Sequence, residues 1–175
     1  MNYRIFFTAL LGAALLADAG QAQQAAAPSP LDVVPDAMPF NTPYGAPINL
    51  AHARQLIDAV VAETKKRGWA MNVAVVDSGG NLVAFQRMDG AQLASISISE
   101  HKARAAVKYR RPTHAFEDGI QKSGFIYQLS LDDVIASRGG IPLVQAGKII
   151  GAIGCSGGTG SQDETVCMVG AGMVK

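Results

Sequence analysis

Two pairs of short apolar runs, each closed by a turn too short for a crossover, constrain this chain most. Residues 71–76 (MNVAVV) and 82–88 (LVAFQRM) flank Asp77-Ser78-Gly79-Gly80-Asn81, and residues 141–144 and 148–155 flank Gln145-Ala146-Gly147. Asp, Ser, Asn and Gly are the residues that turns require. Strands joined this tightly pair antiparallel, because a parallel pair needs a crossover of about a dozen residues or more.

Helical patterns separate and flank these hairpins. Leu50, Ala53, Leu56, Ile57, Val60, Val61 and Thr64 recur at helical spacing. Asn49 can cap the start, Lys65, Lys66 and Arg67 suit the negative end of the helix dipole, and Gly68 can end it. A second helix is expected over about residues 91–108, with Leu93, Ile96, Ala103, Ala106 and Val107 facing inward and Pro112 ending it. Residues 115–138 read as helical turns and loop. A final helix starts near Gln162, with Ser161 capping and Glu164 reaching back. The order α-ββ-α-(α)-ββ-α predicts an α+β sandwich with a small antiparallel sheet. It lacks the βαβ alternation of a dinucleotide-binding fold.

The N-terminal segment has a different character. Arg4 precedes 12 uncharged, mostly apolar residues (IFFTALLGAALL, 5–16), followed by the small residues Ala17, Ala19, Gly20 and Ala22. That is the layout of a secretory signal peptide over 1–22, cleaved after Ala22 or Ala19. The run falls short of the about 20 residues a spanning helix needs, and no cysteine follows it to carry a lipid. The expected location is the periplasm of a Gram-negative cell, or outside the cell. Six of the eight prolines then fall within 23–48. Proline at that density forbids a helix and disrupts a strand ladder, so this arm is expected to be an extended linker. It either acts as a loose spacer or drapes over a neighbouring subunit, and the spacer is the simpler reading. The folded domain is expected over 49–175. Cys155 and Cys167 either pair, as an exported protein allows, or sit as two small buried residues.

A formal net charge of +1 excludes a globally basic nucleic-acid binder. The positive charge is concentrated locally instead, in HKARAAVKYRRPTH (101–114), which has no acid between Glu100 and Glu117. On a helix, His101, Arg104 and Lys108 form one stripe. Such a stripe is either a solvated helix face or, beside a cavity, a site for carboxylates or phosphates. His101, Thr113 and His114 are the candidate metal-directed groups, imidazole being a usual axial ligand of haem iron. Gly154-Cys155-Ser156-Gly157-Gly158 matches G-x-S-x-G, but no histidine follows it, so a hydrolase reading fails. The glycine-rich stretch 157–160 could cradle phosphate, but Asp163 and Glu164 in the following turn would repel it.

Taken in order, MNVAVVDSGGN (71–81), KARAAVKYRRPT (102–113), GGIP (139–142) and GAIGCSGGTGSQDE (151–164) resemble the GlcG/HbpS family of haem-binding proteins over almost all of 49–175. The resemblance implies a profilin-like α+β fold, self-association as a homo-oligomer and, in several members, haem as cofactor. It implies Thr113 as the iron-proximal residue, with the adjacent His114 as a substitute. From charge alone, Arg111, Lys108 and Lys102 are expected to pair with the propionates. The acidic pairs linked with iron binding in some relatives are absent here: no Glu has an acid three positions before it. The chain thus reads as an exported haem- or tetrapyrrole-binding protein rather than an enzyme. The alternatives are an enzyme acting on haem or a small organic acid, and an oligomeric accessory of an envelope partner.

Overall fold

The computed structural model describes residues 29–175. The expected signal peptide (1–22) and the first linker residues lie outside the described residues. Helix α1 spans Leu50–Arg67, β1 Asn72–Asp77, β2 Leu82–Arg87, α2 Ala94–Lys108, α3 His114–Ser123, β3 Gly140–Gln145, β4 Lys148–Ser156 and α4 Gly160–Ala171. A 3-10 turn covers Ile126–Ser130, within the stretch that reads as helical turns and loop. The strands form one antiparallel sheet in the order β2-β1-β4-β3, so both hairpins form as expected and β1 joins them through β4. In the β3–β4 turn, Ala146 and Gly147 both take positive φ, 48° and 73°, as the tightest hairpin turns demand.

Alternation along the central strands sends side chains to both faces of the sheet. Val73, Val75, Ile153 and Cys155 pack with α1 and α4 through Leu56, Val60, Val166 and Cys167. Ala74, Val76 and Ala152 face the opposite way, onto Ala103, Ala106 and Val107 of α2. The residues on this second face are small, and α2 sits close to the sheet. A Cβ at Gly154 would strike the Ser99 carbonyl, and one at Gly140 the Lys102 carbonyl. Ser156, the serine of the G-x-S-x-G match, is buried and donates to Ser95 Oγ at 3.0 Å.

Helix α1 ends as its sequence predicts. The Asn49 side chain accepts from the His52 amide, and Gly68 closes the helix at φ 67°. Helix α2 begins later than expected, and Leu93 is exposed rather than inward. Helix α4 begins earlier: its cap is Thr159, not Ser161. Thr159 Oγ1 accepts from the Gln162 amide while Gln162 Oε1 accepts from the Thr159 amide. Asp163 is thereby drawn inside. Cys155 and Cys167 form a disulfide, Cα–Cα 5.6 Å, tying β4 to α4.

The linker is not a simple spacer. The Ile149 amide donates to the Pro43 carbonyl, and the Gly45 and Ile48 amides donate to the Ile149 and Ile150 carbonyls. This segment takes the place beside β4 that β1 leaves after Asp77, which pairs with Gly151. The Tyr44 hydroxyl donates to the Val107 carbonyl at 2.9 Å. Among the described residues, no helix is long and apolar enough to cross a membrane.

Candidate functional site

Helix α2 ends at Lys108, and the chain turns through Arg110, in the left-handed region at φ 53°, into Pro112 and α3. The sequence-predicted binding residues surround this corner, but the structure gives them different roles. Lys102 is 1% exposed. Its Nζ donates to Asp163 Oδ2 at 2.6 Å and to the Cys155 carbonyl at 3.2 Å. Burial pushes its ammonium below the ordinary lysine value, against the pull of the Asp163 charge. Lys102 therefore cannot reach a propionate, which corrects the expectation drawn from its charge. Thr113 is likewise fully buried; its hydroxyl donates to the Ser137 carbonyl at 2.8 Å and accepts from the Gly140 amide at 2.9 Å. A hydroxyl so engaged pins β3 to the start of α3, and it has no free face for iron.

The basic stripe of α2 is also met by acids. Lys108 pairs with Asp133, and Arg104 lies 3.5 Å from both Asp133 and Glu100. The Asp133 carboxyl is held below its ordinary value, first by the hydrogen bond from Lys108. Lys108 is thus a tether for the loop before β3, not a free anion receptor. Glu100 is a helical neighbour of Arg104, but Asp133 comes from a loop 25 residues beyond Lys108, which no local pattern could reveal.

Arg111 is different. Among the described residues it has no acidic partner within salt-bridge distance. Its guanidinium lies 3.6 Å from the centre of the Phe40 ring and 5.3 Å from that of Phe116, and its Nε donates to the Tyr109 carbonyl. Burial holds it below its usual value, but an arginine stays charged in proteins. Arg111 stands at a cleft of about 780 Å³ between the arm and α3. Leu31, Val33, Met38 and Phe40 form the arm's wall, and Ala115, Asp118, Gly119 and Lys122 of α3 form the other, with Phe125, Tyr127 and Gln128 closing one side. The α3 residues fall at i, i+3, i+4 and i+7, one helix face. This volume lies within the range of small-molecule sites, about 300–1,000 Å³. Arg111 stands out in the sequence, but the arm's wall does not, because exposed apolar residues between prolines resemble a spacer. A second hollow, about 560 Å³, lies between α1 and β2 and is remote from this corner.

His114 occupies the neighbouring face of α3. Its Nδ1 lies 2.7 Å from Glu164 Oε1, and its side chain is 43% exposed. Glu164 is also 3.6 Å from Arg138, which bonds Glu117 at 2.9 Å and reaches Asp118 of the cleft at 3.4 Å. A carboxylate on Nδ1 fixes the tautomer that leaves the Nε2 lone pair available, the usual arrangement of a metal-ligating histidine. Among the described residues no group of three or more His, Cys, Asp or Glu is placed to hold a bare metal ion.

A three-layer α+β domain with an apolar, arginine-bearing cleft at its α2–α3 corner is a helix–sheet–helix sandwich. The chain is a member of the HbpS-like family, whose model, described as "Haem degrading protein HbpS-like", matches residues 48–171. It is 36% identical to Protein GlcG of Escherichia coli K12 over 110 residues, 59% of this chain and 80% of that protein. The crystal structure of a double mutant of HbpS from Streptomyces reticuli superposes with a TM-score of 0.68 at 26% identity, covering 82% of this chain and 98% of that one. The structure described as a PduOC:heme complex superposes with a TM-score of 0.67 at 26% identity, covering 74% of this chain and 96% of that one. The fold expected from the element order is the fold of these relatives.

Proposed function

We propose that the protein is exported and binds haem or a closely related tetrapyrrole in the cleft between the arm and α3. The observation that carries this reading is Arg111: a cation with no acidic partner among the described residues, stacked on Phe40 at the edge of an apolar hollow. A planar ligand with an apolar body and carboxylates fits those surroundings, the body against Leu31, Val33, Met38 and Phe125 and a carboxylate on Arg111. Lys122, exposed and 3.0 Å from Asp118, is the second cation at the rim. The haem-bound relative and the family description support the same ligand.

His114, beside the cleft rather than in its wall, is the candidate iron ligand, since Glu164 orients its ring and Thr113 is spent on the backbone. A bound haem would supply a redox-active iron; this chain's residues supply the cation, the apolar walls and an oriented imidazole. The His114–Glu164 pair also favours a second reading, turnover of the same ligand, because an imidazole oriented by a carboxylate is a general base as well. The disulfide supports export into an oxidising compartment. Exposed Ile126 and Leu129 on the 3-10 turn and Met168 on α4 support self-association, which native mass spectrometry of the mature chain measures.

Titration of the ligand-free protein with haem is the test. A sharpened Soret band is expected, weakened in affinity in Arg111→Leu and altered in shape in His114→Ala. No spectral change at micromolar haem refutes the proposal, and an unaltered band in His114→Ala removes the ligand assignment. Incubating the complex with a reductant and following loss of the band separates turnover from binding.

A further inference from the structure

Arg111 is held from several sides by the protein itself. Its Nε donates to the Tyr109 carbonyl at 3.1 Å. Its guanidinium carbon lies 3.6 Å from the centre of the Phe40 ring, so close that two flat groups can only lie face to face. The Phe116 ring of α3 stands 5.3 Å away. Among the described residues neither Nη has a hydrogen-bond partner, and Arg111 lines the cleft. A guanidinium covered on its face and fixed at Nε keeps its Nη pair, which can take a carboxylate through two parallel bonds.

The two rings differ in origin. Phe116 is buried and belongs to the fold, whereas Phe40 is 42% exposed and comes from the arm, outside the family-matched residues 48–171. The hydrogen bonds of residues 29–42 stay within Ser29–Asp32, so among the described residues none ties this stretch to the domain. No residue from Pro30 to Phe40 is buried. Phe40 also lies in the left-handed region at φ 55°, which is costly for a bulky residue and persists only where its surroundings hold it. That cost and the gain from a cation–π contact are of similar size. A stacked and a released arm are therefore close in free energy, and whatever fixes Arg111 tips the balance toward the stacked one.

Resting on the reading of the cleft as a tetrapyrrole site, we infer that Phe40 is a positioning residue: it holds Arg111 ready for a ligand carboxylate, and the bound carboxylate reciprocally holds the arm shut. The test compares the mature chain with Phe40→Leu and Phe40→Tyr, by absorbance titration with haem and with haem dimethyl ester, whose carboxylates are capped. Phe40→Leu is expected to weaken haem binding about tenfold, the order of a desolvated cation–π contact, and ester binding much less. Phe40→Tyr, with the same ring face, should restore the wild-type affinity. In an Arg111→Leu background, Phe40→Leu should weaken haem binding no further. Thermolysin, which cuts before large apolar residues such as Val33, Val34 and Met38, reads the arm directly. Saturating haem should slow cutting of the arm in wild type more than the saturating ester does, and this difference should vanish in Phe40→Leu. Equal losses of haem and ester affinity in Phe40→Leu, or equal protection by the two ligands, reduce Phe40 to a piece of apolar wall and overturn its role while leaving the cleft reading intact. Binding of neither ligand by the wild type overturns both.

Discussion

Replacing Lys102 with methionine should be among the most damaging single changes in the protein, although in the sequence it is one cation of the basic segment 101–114. Lys102 is 1% and Asp163 2% exposed, and their charges are 2.6 Å apart. In Lys102→Met the Asp163 carboxylate keeps the Gly158 amide at 2.9 Å but loses its counter-charge. Stranding one member of a buried pair costs about 3–5 kcal/mol, which for a chain of this size lowers Tm by roughly 6–20 °C. Removing both charges, in Lys102→Met with Asp163→Leu, takes a neutral partner from the Gly158 amide and the Cys155 carbonyl but strands no charge. That double variant should return to within about 1–2 kcal/mol of wild type. Urea unfolding followed by the fluorescence of Trp69, the sole tryptophan, measures all of these. A single-variant loss below about 1 kcal/mol, or a double variant as unstable as the sum of the singles, would refute the claim that the two charges form one buried unit.

The disulfide, the tight α2–sheet contact and the Lys108–Asp133 pair each have a measurable effect. Replacing Cys155 and Cys167 by alanine should cost about 3 kcal/mol, the value for closing a loop of this length, and the unreduced wild type should yield no free thiol when unfolded. Gly154→Ala forces a methyl against the Ser99 carbonyl and should cost about 3 kcal/mol, the upper end for overpacking, read as a lower urea midpoint. Asp133, its carboxyl lowered by Lys108, binds fewer protons folded than unfolded. Its contribution is present above the unfolded value of about 3.9 and is lost as pH falls through the lowered folded value, so wild type and Asp133→Asn should converge in stability on acidification.

Much of the scaffold is legible in the sequence because its signals are local. The apolar spacing from Leu50 to Thr64, the cap at Asn49 and the turn at Asp77-Ser78-Gly79-Gly80-Asn81 each specify their own element within a few residues. The start of α4 differs from expectation by two positions because Thr159–Gln162 and Ser161–Glu164 both satisfy the capping pattern, and the Thr159 cap is the one that goes with Asp163 buried on Lys102. The site is harder to see. Lys102 and Lys108 look alike along the helix, yet one meets an acid 61 residues away and the other an acid 25 residues away. Arg111 and His114 announce themselves by residue type beside the helix break.

Between Pro30 and Phe40 the arm has no buried residue, yet it forms one whole side of the cleft. A segment that folding does not depend on can change its lettering freely while the sheet and helices beneath stay fixed. The shape of the hollow can therefore change by drift along the arm alone, over a chassis that stays the same.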